Sequence, residues 1–358
     1  MKKSILLLSF MIFGFANAQE PAGYYSTANG LTGFALKTKL GEIISAGYIT
    51  KSYDSLYNGF PTTDSDNFYE KDGTVLDIYS ENPAGADPYN YTHGVKKCGN
   101  YSVEGDCYNR EHSIPQSLFN QDSPMVSDIQ HILPTDGKVN GMRSNYPYGK
   151  VGSATWTSKN GSKLGANSSP GYSGTVFEPI NEFKGDVARV LLYFVTRYET
   201  KLSGFESGNI LNPGNIHKGL ADWELNLMLQ WNQQDPVSER EIVRNNAAYN
   251  YQKNRNPFID HPEWVTTIWG AAPLAVDDAS FSKNLTIAPN PVKGNLISVS
   301  GDQDLKKFKK AMIYNMTGQN VQTVDNPFQN GNTIRLNQLP KGVYILKTGE
   351  LNTKFIVE

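Results

Sequence analysis

Apolar residues recur every three or four positions over 182–200, at Phe183, Val187, Val190, Leu191, Phe194 and Tyr198. That spacing predicts a helix with one buried stripe. Leu220, Trp223, Leu227 and Trp231 repeat it over 219–233. Asp235-Pro236 supplies an N-cap and a first-turn proline for a third helix reaching Gln252, and Pro262 opens a short helix carrying Trp264 and Trp269. The tryptophans fall on the stripes and read as core. A weaker pattern predicts a helix over 36–44, interrupted by Gly41. Residues 61–108, rich in Asp, Asn, Gly, Pro and Tyr, read as loops with short strands such as 75–79. Residues 144–178, rich in Gly and Ser, read as an extended surface segment.

After Trp269 the rhythm changes. Residues 271–283 read as a linker. Beyond them, short β-type runs at 285–288, 296–299, 311–314, 333–336, 343–347 and 354–357 are separated by Gly, Pro and Asn. Regular strands with turn punctuation predict a small β-sandwich over 284–358. The expected fold class is α+β: a mixed domain over 19–270 followed by a small all-β sandwich.

Composition narrows the function. With 358 residues, 39% hydrophobic and 11% aromatic, the chain can bury a core, which excludes wholesale disorder. A net charge of −2 excludes a highly basic nucleic-acid coat. The charge is uneven: residues 273–358 carry a net +3, whereas 19–272 carry −7 and all five histidines. No apolar run is long enough for a membrane-spanning helix, so no stable membrane insertion is expected. Met1-Lys2-Lys3, an apolar run from Ile5 to Phe15 and Ala16-Asn17-Ala18 form a signal-peptide pattern over 1–18. Export makes Cys98 and Cys107 a disulfide rather than half of a zinc site, whose cysteines usually sit closer together.

The chemistry concentrates in two stretches, Asn109-Arg110-Glu111-His112-Ser113-Ile114-Pro115 and Ser127-Asp128-Ile129-Gln130-His131-Ile132-Leu133-Pro134-Thr135-Asp136-Gly137-Lys138-Val139-Asn140-Gly141-Met142-Arg143-Ser144-Asn145. The first offers an adjacent carboxylate and imidazole. In the second, an apolar strand leads to Asp136, which can cap a short helix carrying Asn140 and Arg143 on one face. Carboxylate and amide oxygen suit a hard cation such as Mg²⁺. Imidazole suits a general base, and an Arg fork suits phosphate. The set points to metal-assisted phosphodiester hydrolysis. One geometric difficulty stands against it, since neighbours on a regular strand face opposite sides. The contrasting class is a secreted surface-binding protein whose aromatic loops grip glycans.

These stretches resemble the bacterial endonuclease I family of secreted or periplasmic nucleases with the ββα-metal (His-Me finger) motif, and Asn254-Arg255-Asn256-Pro257-Phe258-Ile259-Asp260-His261-Pro262-Glu263 resembles the closing segment of its extracellular branch. The resemblance covers residues 60–270. It implies a largely sequence-nonspecific endonuclease acting on DNA and RNA through the phosphate backbone, and products carrying 5′-phosphates. By position, His112 is the general base, and Glu111 and Asn140 hold one Mg²⁺, with Mn²⁺ or Ca²⁺ as alternatives. The ββα unit would be a strand ending near Glu111–His112, a strand over 129–133 and a helix from Asp136. Some family members carry a longer insertion with a phosphate-clamping Arg. Residues 116–127 contain no Arg, so Arg143 is expected to clamp, with Arg110 second. Gln130 receives no role, and His131 is either an orienting or a packing residue. A basic face of Lys138, Arg143, Lys150, Lys159 and Lys163 would offset the −7 balance and make cleavage salt-sensitive.

The tail resembles the C-terminal sorting domain of the type IX (Por) secretion system of Bacteroidetes. The resemblance rests on Ala288-Pro289-Asn290-Pro291, Tyr314-Asn315-Met316-Thr317-Gly318-Gln319 and Leu339-Pro340-Lys341-Gly342-Val343-Tyr344-Ile345. It implies recognition by that secretion machinery, an extracellular or cell-surface location, and no catalytic role. A monomer is expected.

Overall fold

The computed structural model describes residues 20–270, 285–301, 304–315, 320–329, 331–349 and 351–358. The predicted signal peptide, the 271–283 linker and the 316–319 piece of the tail motif lie outside the described residues. The chain divides into two compact units, with the boundary in sequence between residues 273 and 274.

The first unit runs α1 (Gly33–Ser45), α2 (Leu56–Thr63), β1 (Tyr108–His112), β2 (Ile132–Asp136), α3 (Gly137–Arg143), β3 (Val151–Thr157), β4 (Lys163–Asn167), β5 (Thr175–Glu178), α4 (Lys184–Arg197), α5 (Asp222–Gln234), α6 (Glu239–Gln252), α7 (Pro257–Asp260) and α8 (Glu263–Trp269). At its centre stands α4, buried from Gly185 to Arg197. The apolar stripe predicted a single buried face. The helix is instead enclosed all round because its buried charged residues are paired, Arg189 with Glu241 at 2.6 Å and Arg197 with Asp128 at 2.7 Å. Gly41 does not interrupt α1. A Cβ there would lie 2.5 Å from the Thr196 carbonyl oxygen, so glycine is what lets α1 pack closely against α4.

Several boundaries differ from expectation for local reasons. α6 starts at Glu239 because Ser238 and Glu241 form a reciprocal capping box. Asp235 serves another helix, accepting from Gly185 N at 2.8 Å in the first turn of α4. The expected strand over 75–79 is a bridge from Val75 to Ser65 followed by a turn. There the Asp77 carboxylate captures Tyr79 N and Asp136 N, each at 2.8 Å, and the chain curls around it. Residues 56–63, partly assigned to loop, form α2 with Pro61 inside it. The Gly/Ser-rich stretch builds a three-stranded antiparallel sheet, β3-β4-β5. The predicted strand over 129–133 begins three residues late, because Asp128 caps a 3₁₀ turn over Ile129–His131 first. Trp223 and Trp231 are core, as expected.

The second unit contains β6 (Leu285–Ala288), β7 (Leu296–Gly301), β8 (Lys310–Asn315), β9 (Asn320–Asp325), β10 (Thr333–Arg335), β11 (Gly342–Thr348) and β12 (Leu351–Val357). They form a three-stranded sheet, β10-β7-β6, and a four-stranded sheet, β12-β11-β8-β9. Ile287, Ile297 and Val299 from one sheet and Ile313, Leu346 and Phe355 from the other share one core. All six predicted strands are present. β9 escaped the reading because its only apolar residues are Val321 and Val324.

Candidate active site

β1 and β2 pair antiparallel, with Glu111 opposite Leu133 and His112 opposite Ile132, and α3 follows β2 without a connecting loop. Asp136 fastens this junction. One carboxylate oxygen caps α3 through Val139 N at 2.8 Å, and the other accepts from Tyr91 Oη at 2.6 Å and Gly105 N at 2.8 Å. Strand alternation then sorts the side chains of β1. Asn109 and Glu111 face α3, while Arg110 and His112 face Tyr53 on the other side. Glu111 and His112 nevertheless open into one cavity, because His112 is the last residue of its strand.

Glu111 is buried. Its Oε1 accepts from Tyr79 Oη at 3.0 Å and Tyr148 Oη at 3.1 Å, and pairs with Arg143 Nη1 at 2.8 Å. Burial pushes this carboxyl above its usual range, while Arg143 and the two phenols pull it back. Arg143 is itself buried. Its Nη1 also donates to the His112 carbonyl at 2.8 Å and its Nη2 to the Ser113 carbonyl at 2.6 Å, pinning the strand end. The guanidinium expected to clamp phosphate is therefore already engaged with Glu111 and two carbonyls. Being only 1% exposed, it cannot belong to a surface basic face, whereas Lys150, Lys159 and Lys163 are exposed.

The His112 ring sits among Tyr53, Phe119 and His131, with centroids 5.7, 6.2 and 5.9 Å away. Its Nε2 lies 3.1 Å from the Val126 carbonyl. A carbonyl only accepts, so Nε2 carries the proton and Nδ1 is left as an acceptor. Burial, seconded by His131, lowers the imidazole to about 3, so the ring is neutral at working pH. Asn140 lies on α3. Its Nδ2 donates to Asn109 Oδ1 at 2.7 Å, which leaves the amide oxygen as its remaining ligand atom.

Glu111, His112, Asn140 and Arg143 line one cavity of about 470 Å³, with Tyr53, Tyr57, Lys97 and Arg110 on its rim. The expected quartet is thus brought together. The donor set, a carboxylate and an amide oxygen without sulfur, fits a hard divalent cation that keeps part of its water shell. The Cys98–Cys107 disulfide is present, and Cys98 lies at the cavity edge. Tyr101, on the loop it closes, covers α3. A Cβ on Gly141 would lie 2.0 Å from the Tyr101 hydroxyl, so any larger residue there would push the Tyr101 ring off α3.

Sequence reasoning missed Tyr79, Tyr148, Asn109 and the Val126 carbonyl. Asn109 was within reach, since it lies two residues from Glu111 and so shares its face of β1. Tyr79, in a turn, and Tyr148, in an isolated bridge to Phe177, come from segments remote from β1 in sequence and carried no signal. His131 proves to be packing. It is buried against Phe194 at 4.8 Å, with Nε2 bonded to the Met125 carbonyl at 2.7 Å. Gln130 ties β2 to the Asn245 and Asn254 region. His93, His217 and His261 bond Ser65, Glu199 and Glu20 respectively, away from the cavity.

Comparison with known proteins identifies the family of the chain. The endonuclease I family profile matches residues 32–263, and that of a secretion system C-terminal sorting domain matches 286–358. The extracellular ribonuclease of Bacillus amyloliquefaciens is 36% identical over 253 residues, covering 69% of this chain and 78% of the relative. The extracellular ribonuclease of Bacillus subtilis (strain 168) is 34% identical over 249 residues, with the same coverage. Endonuclease-1 of Buchnera aphidicola subsp. Baizongia pistaciae is 25% identical over 133 residues, covering 37% of this chain and 46% of the relative. The chain belongs to the endonuclease I family, as a secreted nuclease whose C-terminal unit is a sorting domain.

Proposed function

We propose that this protein is a divalent-metal-dependent endonuclease that hydrolyses RNA and DNA with little regard to sequence and leaves 5′-phosphates. The observation that carries this reading is the convergence of Glu111, His112 and Asn140 on one cavity, with a neutral imidazole whose Nδ1 is an acceptor. Glu111 and Asn140 would hold the cation, Mg²⁺ first among the candidates. When bound, it supplies positive charge to the phosphate and the departing oxygen. His112 Nδ1 takes a proton from the attacking water, and the Val126 carbonyl keeps the ring in the tautomer that can do so. Water attack with departure of the 3′ oxygen leaves the phosphate on the 5′ side.

Arg143 acts as a positioning residue, holding Glu111 and the end of β1. The phosphate contact then falls to Arg110 on the rim, which is less enclosed than Arg143 and bonds the Tyr53 carbonyl and the exposed Asp54 through Nη1. Its guanidinium is stacked 3.4 Å over the Tyr53 ring, and Lys97 lies 4.9 Å over Tyr57. Cations interleaved with aromatic rings suit a single strand, with phosphates on the cations and bases on the rings. The extracellular ribonuclease relatives support RNA as a substrate, and the Endonuclease-1 relative supports internal cleavage.

Digestion of plasmid and of single-stranded RNA by the purified protein tests the reading. Chelator is expected to abolish cleavage, and His112→Ala to lower kcat by about 10³-fold with the circular dichroism unchanged. Undiminished cleavage in either case, or product ends lacking a 5′-phosphate, would overturn the corresponding assignment.

A further inference from the structure

Away from the cavity, Asp66, Glu70 and Glu81 bring carboxylate oxygens within 4.8 Å of one another. None of the three lines the catalytic cavity. Two are deeply buried, Asp66 at 2% and Glu81 at 0% exposure, while Glu70 is exposed and opens the cluster to solvent. The Asp66 carboxylate is held in place by Phe68 N, Tyr69 N and Lys71 N at 3.0, 2.9 and 3.0 Å. Its loop is closed by Asp66 N to the Thr74 carbonyl and Gly73 N to the Asp66 carbonyl, both 2.9 Å.

Glu81 makes the cluster more than a patch of acid. Both of its carboxylate oxygens are shielded from solvent, and neither makes a hydrogen bond to any described residue. The charged groups that act on it are Asp87, Glu70, Asp66 and Asp77, all acidic. A buried carboxylate among like charges, without a donor, is a costly arrangement that folded proteins keep only when something neutralises it. A cation bound by all three side chains would do so. Calcium takes six to eight oxygens at about 2.3–2.6 Å, so two oxygens sharing it can lie up to about 5 Å apart, and the spacing seen here falls within that reach. With no sulfur or imidazole in the set, soft metals are disfavoured.

We propose that Asp66, Glu70 and Glu81 form a second divalent-cation site of the calcium class, structural rather than catalytic. Its place in the fold gives it a consequence for the active site. Glu81 N donates to the Asp77 carbonyl at 2.8 Å, in the turn whose Asp77 carboxylate receives Asp136 N at the head of α3. The same turn carries Tyr79, which bonds Glu111. A cation on Glu81 therefore fastens the turn that steadies the catalytic carboxylate. The proposal stands independently of the hydrolytic reading.

Thermal unfolding of chelator-treated protein, with and without CaCl₂, tests it. To keep the catalytic cavity out of the readout, the reference protein is Asn140→Ala, which lacks one proposed catalytic ligand. A rise of about 4 °C at millimolar Ca²⁺ is expected there. It should vanish when Glu81→Gln or Glu70→Gln is added, and Glu81→Gln in chelator should melt no lower than its parent. Glu70 is exposed, so its variant reports even if the buried substitution misfolds. No rise in Asn140→Ala, a rise surviving either Gln substitution, or an equal rise with Mg²⁺ would overturn the proposal.

Discussion

In the C-terminal sandwich the buried side chains are Leu, Ile, Val, Ala, Phe, Tyr and Pro, and among the described residues Thr348 is the one buried polar exception. In the nuclease unit the largest enclosed side chains include Arg143, Arg189, Arg255 and Lys37, each 0–1% exposed. Asp128 shows how that unit accommodates them. One of its oxygens accepts from Tyr193 and Tyr198 at 2.8 Å and Arg197 at 2.7 Å, and the other from Gln252 at 2.6 Å. The sandwich needs only alternation to fold. The nuclease unit needs matched partners, and in return it fixes polar groups tightly enough to present a carboxylate, an imidazole and an amide to one cavity.

Substitutions can break this contrast. The largest effect is expected from Asp128→Ala, which strands the buried Arg197 guanidinium and should destabilise the nuclease unit by about 3–5 kcal/mol in denaturant unfolding. Retention of wild-type stability would mean that the network is decorative. Next comes Leu346→Ala in the sandwich core, expected to destabilise that unit by about 3 kcal/mol while leaving nucleic-acid cleavage within about twofold of wild type. A collapse of activity would show that the units are not energetically separate.

The smallest effect sharpens the contrast through pH. His131, held by burial at about 4 in the fold against 6.5 when free, binds its proton in the unfolded chain first. Its contribution to stability is therefore complete above 6.5 and is lost as pH falls toward 4. His131→Gln should remove about 2 kcal/mol of the stability change between pH 6.5 and about 5, read as the difference between the two proteins' unfolding curves. Identical curves would refute the burial argument.

The same contrast explains what could be read in advance. In the tail, Leu285, Ile287, Ile297 and Val299 alternate with polar residues, and alternation is a local property, so the strands were legible. In the nuclease unit the helices were legible from their stripes, and Glu111, His112, Asn140 and Arg143 from motif and helical spacing. The partners that orient them were not. Tyr79 and Tyr148 reach Glu111 across 32 and 37 residues of chain, and the Val126 carbonyl has no side-chain signature at all. Arg143 was placed correctly but its contacts were not foreseen, because spacing shows which face a guanidinium occupies and not what already holds it.

The loop closed by Cys98 and Cys107 sets an order of events in the life of the chain. Tyr101 on that loop lies over Gly137 and Gly141, on either side of Asn140 in α3. Thiols stay reduced where the chain is synthesised and join only in an oxidising compartment. While they are apart, hydrogen bonds alone close the loop that covers α3, Cys98 N to the Tyr108 carbonyl at 3.2 Å and Gly105 N to Asp136 at 2.8 Å. The covalent closure of the loop beside Asn140 therefore follows export rather than synthesis.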